Sequence, residues 1–219
     1  PVYVLAKSGR QFLAEHFADD SFLVKPVDIK HPQHIVHHLR CAETHIALDR
    51  AIGRQENVTL EAWYNEFDVL NPYEPDKKKH VSLFTQLRSE PRKLFCAPDA
   101  AFMVGYKGHF GVFYVEQDRG HNRYDHKRVI ARKSPGYNEF HRRQYHKQHF
   151  PATSLDTFIV LFITENVSRR DALRRACAKT DEPQLWRFVS RTDVTPDTFL
   201  HERILYRCDD DEPVELVKL

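Results

Sequence analysis

The chain has 219 residues, 41% of them hydrophobic and 12% aromatic, which is enough to bury one substantial core, so it reads as one globular domain with a small appendage. Its formal charge of +2 does not by itself argue for a nucleic-acid partner, although that charge is unevenly spread. Cys41, Cys96, Cys177 and Cys208 form no C-x-x-C pair, and no apolar run approaches eighteen residues. A zinc ribbon, a thioredoxin-type site and a membrane span are thereby set aside, and a reducing cytoplasm is the expected setting. The chain opens at Pro1 rather than methionine, and is expected to be a fragment whose leading domain is absent.

Residues 2 to 5 read as a short strand and 7 to 17 as a helix with Phe12, Leu13 and Phe17 at helical spacing. Residues 18 to 32, with Pro26 and Pro32, read as a linker. From 33 to 52 the apolar residues Ile35, Leu39, Ala42 and Ile46 predict an amphipathic helix that ends at Gly53. His34, His38 and His45 line a neighbouring stripe; further zinc ligands are not marked, so the stripe reads as packed or solvated. Residues 58 to 70 predict a strand in their second half, stopped by Asn71-Pro72. Lys77, Lys78 and Lys79 form a basic loop.

The densest signal runs from residue 94 to 137. An apolar run from 100 to 104, a turn between Gly105 and Gly108, and a second run from 109 to 115 predict a hairpin. The side-chain period of two puts Tyr114, Glu116 and Asp118 on one face of the second strand. Asp99, behind Pro98, can lie across from them. Three converging carboxylates beside a lysine suit Mg²⁺ or Mn²⁺, and the chemistry they suggest is metal-assisted phosphodiester hydrolysis.

Residues 121 to 149 carry Arg123, Lys127, Arg128, Arg132, Lys133, Arg142, Arg143 and Lys147 against only Asp125 and Glu139. Interleaved with Tyr137, Phe140, Tyr145 and Phe150, part of which should pack on the sheet, this segment predicts a DNA-binding surface. Ser134-Pro135-Gly136 should interrupt or kink its helix. Residues 158 to 163 form a continuous apolar run, expected as a strand buried on both faces at the sheet centre. A helix from 169 to 178 capped by Ser168, a strand from 184 to 190, a short helix from 196 to 205 and a fraying acidic tail complete the chain. The order predicts an α/β fold with a mixed central sheet flanked by helices.

Pro98-Asp99, Glu116-x-Asp118-Arg119-Gly120 and Lys133-x-x-x-Tyr137 together resemble the replication-relaxation family of plasmid and mobile-element proteins. The likeness extends from the N-terminus to about residue 206. It implies a PD-(D/E)xK nuclease-like core over 31–208, the end of a winged-helix domain over 1–25, and an acidic tail over 209–219. By that resemblance Asp99, Glu116, Asp118 and Lys133 are the catalytic candidates, the three acids are the metal ligands, and Glu66, Lys127 and Tyr137 are accessory. The nuclease pattern has lysine two residues after the glutamate, where this chain has Asp118; Lys133, or secondarily Lys127, would substitute. The implied role is DNA binding in plasmid or mobile-element replication and relaxation, with replication or mobilisation proteins as partners. Two forms of it stand side by side: a Mg²⁺- or Mn²⁺-dependent DNA nuclease, and a non-catalytic DNA-binding factor on the same fold.

Overall fold

The computed structural model describes residues 5–23, 32–66, 68, 83–90, 93–118 and 125–218. A five-stranded mixed sheet forms the middle layer, in the order β1 (Val58–Asn65), β4 (Ala100–Tyr106), β5 (His109–Gln117), β6 (Ile159–Thr164) and β7 (Trp186–Ser190). The first three strands are antiparallel neighbours, whereas β5, β6 and β7 run parallel. A separate antiparallel pair, β2 (Thr85–Arg88) and β3 (Leu94–Cys96), was not predicted as such. The hairpin turn is tighter than expected: Lys107 and Gly108 both take positive φ, 48° and 78°, the two-residue geometry that matches strand twist.

On one face lie α3 (His126–Arg142), the single turn α4 (His146–His149) and α5 (Val167–Cys177). Between these helices and the sheet, Tyr114, Tyr137, Phe140, Phe158 and Trp186 pack edge to face. On the other face lie α2 (Pro32–Ile52) and the C-terminal segment from 199 to 217. α1 (Lys7–Phe17) packs against the short turn Asp20–Leu23, and the strand expected before it lies largely outside the described residues.

Several expectations are corrected. The buried face of α2 is His37, Cys41, Thr44, Leu48 and Ala51, so Leu39 and Ile46, expected inside, stand 51% exposed. The reason is that the first half of this helix covers polar side chains at the sheet end rather than apolar ones. β1 occupies the first half of its segment because its pairing with β4 stops where β4 begins, at Asn65 opposite Ala100. α3 runs unbroken through Pro135, whose ring is exposed. Gly136 has a packing role there: a Cβ would stand 2.5 Å from the Phe95 carbonyl, so only glycine lets α3 lie this close to β3. Asn166, not Ser168, caps α5, accepting from Arg169 N at 2.9 Å. Residues 196 to 200 form turns instead of a helix. The tail docks rather than frays, since Val214 pairs with Leu205 and both Leu216 and Val217 are buried.

Candidate functional site

One end of the sheet gathers the end of β1, the start of β4 and the end of β5. The register Ala100↔Val115 places Asp99 directly opposite Glu116. Asp99 is fixed on every side: its N–H donates to the Val115 carbonyl at 3.0 Å, its own carbonyl accepts from Glu66 N at 3.0 Å, and its Oδ2 accepts from Gln117 N at 2.7 Å. The first turns of α2 cross this corner. His37 Nε2 lies 3.3 Å from Glu66 Oε1 and 3.5 Å from Asp99 Oδ1, and His38 Nδ1 lies 3.6 Å from the same Glu66 oxygen. Donor atoms of His37, Glu66 and Asp99 all fall within 4.8 Å of one another. His37 is 2% exposed and Glu66 36%, so the corner opens toward solvent on the Glu66 side.

From the other face α3 reaches in with Lys133 and Tyr137, four residues apart and therefore on one stripe of the helix. Lys133 Nζ pairs with Glu116 Oε2, and the Tyr137 hydroxyl donates to Glu116 Oε1 at 2.7 Å. Burial pushes the Glu116 carboxyl up to about 7; Asp99 adds to the rise, and Lys133 and Tyr137 hold it back. For Lys133, burial disfavours the cation, but Glu116 and Asp99 outweigh burial and raise it overall. Burial, then Asp99, Glu66 and Glu116, push the Cys41 thiol up, so this buried sulfur is an unreactive neighbour of the acids.

Asp118 does not join the corner. It is 7% exposed and bound by both nitrogens of one guanidinium edge, Arg169 Nε at 2.8 Å and Nη2 at 3.1 Å. A carboxylate buried at that depth needs a partner, and the first turn of α5 supplies one as β5 continues beside β6. Of the expected trio, only Asp99 lies in a donor cluster, with Glu66 and His37; Glu116 stands across from Asp99 and its oxygens are taken by Lys133 and Tyr137, and the residue the sequence did not reveal is His37.

The basic segment divides. Lys127, Arg128 and Arg132 stand on the first turns of α3, before Lys133 in the chain, with Lys127 N bonded to the capping Asp125 carboxylate at 3.0 Å. Arg142 and Arg143 both pair with Glu139, and Lys147 pairs with Asp156. Arg142 lies roughly 14 Å along the helix from Lys133, toward the opposite sheet end. Arg123 and Lys77 to Lys79 lie outside the described residues. Of the interleaved aromatics, Tyr137, Phe140 and Phe150 pack in the core, at 1%, 0% and 2% exposed, and Tyr145 is half-buried. Among the described residues no helix is long and apolar enough to cross a membrane.

No curated protein and no solved structure matches the chain. A family profile does, over residues 1–153, which is most of the chain although it stops short of the expected residue 206. On that match, the chain belongs to the replication-relaxation family.

Proposed function

We propose that the chain is a DNA-binding protein whose acid corner hydrolyses phosphodiester bonds with a divalent metal, in the replication or relaxation of plasmids or mobile elements. Family membership supports the biological setting. The observation that carries the chemistry is the His37, Glu66 and Asp99 donor cluster, with Glu116, paired to Lys133, across from Asp99 in the β4–β5 register. Asp99, Glu66 and His37 Nε2 would hold the ion, since spacings of 3.3 and 3.5 Å suit adjacent donors of one coordination shell. An imidazole nitrogen among carboxylate oxygens fits Mn²⁺ better than Mg²⁺, which favours oxygen alone. The ion supplies charge stabilisation at the phosphoryl oxygens.

The chain's own groups divide the remaining work. Glu116, with a carboxyl near 7, exchanges a proton at neutral pH and is suited to general-base duty. Lys133 keeps that carboxylate in place and sets a positive charge beside the phosphate. Tyr137 fixes the Glu116 rotamer from the buried side. The test is cleavage of a labelled duplex: the wild-type chain should cut with Mn²⁺ and stop with EDTA, and a cleavage rate unaffected by EDTA would refute the metal requirement.

A second reading is a non-catalytic DNA-binding factor. It is favoured by Asp118, which stands where the nuclease pattern has lysine and is occupied by Arg169. DNA binding without cleavage in Mn²⁺ by the wild-type chain would select it.

A further inference from the structure

The corner continues past Glu116 to a second group of side chains. Gln117 gives its backbone N–H to Asp99, but its side chain points to the α2 face. There Nε2 donates to Thr44 Oγ1 at 2.7 Å, and Oε1 accepts from Arg191 Nη2 at 3.2 Å. Arg191 follows the end of β7; Arg40 sits on α2, three residues after His37. Both reach Glu165 at the end of β6: Arg191 Nε and Nη2 each at 3.3 Å, and Arg40 through Nη1. Glu43 also lies near the pair, 3.9 Å from Arg191 Nη1 and 70% exposed.

Two guanidiniums therefore share one close carboxylate, and each remains 22–23% exposed. Burial, then the Arg40 charge, lowers the Arg191 pKa, while Glu165 and Glu43 hold it up. Glu165 and Glu43 match the two guanidiniums in number, but Glu43 stands 3.9 Å away and is 70% exposed, so it is a loose counter-ion whose place a phosphate can take. A phosphodiester offers two non-bridging oxygens to the planar fork of an arginine, and a nucleic-acid strand presents phosphates in series. Gln117 joins the two groups, with its main chain on Asp99 and its side chain on Arg191.

We propose that Arg40 and Arg191 together bind a backbone phosphate of duplex DNA, adjacent to the phosphate presented to the acid corner. The assignment rests on the nuclease reading of that corner and adds a second anchor for its substrate. Glu165 holds the pair together when DNA is absent and competes with the incoming phosphate.

The experiment is equilibrium binding of a short fluorescent duplex by anisotropy, with Ca²⁺ replacing Mn²⁺ to prevent cleavage, across a KCl titration. Wild type is compared with Arg40→Gln/Arg191→Gln, Arg40→Lys/Arg191→Lys and Glu165→Gln, each checked for its fold by circular dichroism. Loss of one phosphate contact should make the log–log salt slope shallower by about 0.9 in the glutamine pair, with a severalfold weaker affinity. The lysine pair should recover the slope but not all the affinity. Glu165→Gln should bind more tightly than wild type, because it frees both guanidiniums; a merely structural network predicts the reverse. An unchanged slope in the folded glutamine pair, weaker binding by Glu165→Gln, or no duplex binding by the wild-type chain overturns the proposal. A parallel Mn²⁺ titration by electron paramagnetic resonance separates the two readings. Mn²⁺ bound with no slope change defeats the arginine pair alone, and a slope change with no Mn²⁺ bound defeats the metal site alone.

Discussion

Gln117 donates its backbone N–H to the Asp99 carboxylate at 2.7 Å, so the end of β5 and the entry to β4 share one hydrogen-bonded junction. The other Asp99 oxygen faces His37 Nε2 at 3.5 Å. One oxygen thus serves the fold and the other the site. Asp99→Asn can keep the first bond through its amide oxygen while removing the ligand charge. It should weaken Mn²⁺ binding at least tenfold with little change in Tm, whereas Asp99→Ala also orphans the Gln117 N–H and should cost about 1–2 kcal/mol of stability. A Mn²⁺ titration and thermal melts of the two variants check this; equal Mn²⁺ affinity in wild type and Asp99→Asn would remove Asp99 from the ligand set.

Lys133 and Glu116 form a partly buried pair whose halves are unequal when separated. Lys133→Met leaves the fully buried Glu116 without its cation and should cost about 3 kcal/mol. Adding Glu116→Gln should return most of that loss, because the stranded charge is gone. Urea denaturation of the single and double variants closes the cycle, and additive losses would mean that the two groups do not interact.

Gly136 and Pro135 are neighbours in α3 with opposite expected effects. Gly136→Ala drives a Cβ to 2.5 Å from the Phe95 carbonyl and should destabilise by about 2 kcal/mol, because main chain must move. Pro135→Ala, on the exposed side, restores a helical N–H and should leave stability unchanged or raise it. Melting temperatures decide both.

His149 provides a pH dependence remote from the acids. Its ring bonds the Tyr114 hydroxyl through Nδ1 at 3.1 Å and Thr85 Oγ1 through Nε2 at 3.2 Å, and burial, then His146, lowers it to about 4. The folded state therefore refuses a proton that the unfolded chain takes near 6.5. Its stabilisation is complete above pH 6.5 and is lost as pH falls from 6.5 to 4, by up to about 3 kcal/mol. His149→Gln should flatten this part of the stability profile. A profile equally steep in the variant would place the titration elsewhere.

The hairpin and the buried strand β6 are legible because period-two alternation and an unbroken apolar run are local signals. Glu116 is readable as the acid that ends a strand, whereas Lys133 and Tyr137 rest on the family resemblance, because Ser134-Pro135-Gly136 predicts a break in the helix that puts both on one stripe. His37 was hidden because the buried face of α2 is polar where it covers the corner, so a search for apolar spacing selected Leu39 and Ile46 on its outer side. The partner of Asp118 lies 51 residues away, and no local pattern links two such positions. Which aromatics of the basic segment pack on the sheet was not legible, because sequence gives their type and not their side: Tyr137 and Phe140 lie on the packed face.

The most direct test of the central claim, that the Asp99 and Glu116 corner is a metal-dependent nuclease centre, is nicking of supercoiled plasmid by wild type and Glu116→Gln in Mn²⁺. The substitution preserves shape and removes the charge paired with Lys133, while the cationic surface for DNA is untouched. Wild type should nick or linearise the plasmid, and Glu116→Gln should lose at least a hundredfold in rate at unchanged DNA affinity. Equal cleavage by the two proteins, or none by wild type while it binds the plasmid, would contradict the assignment.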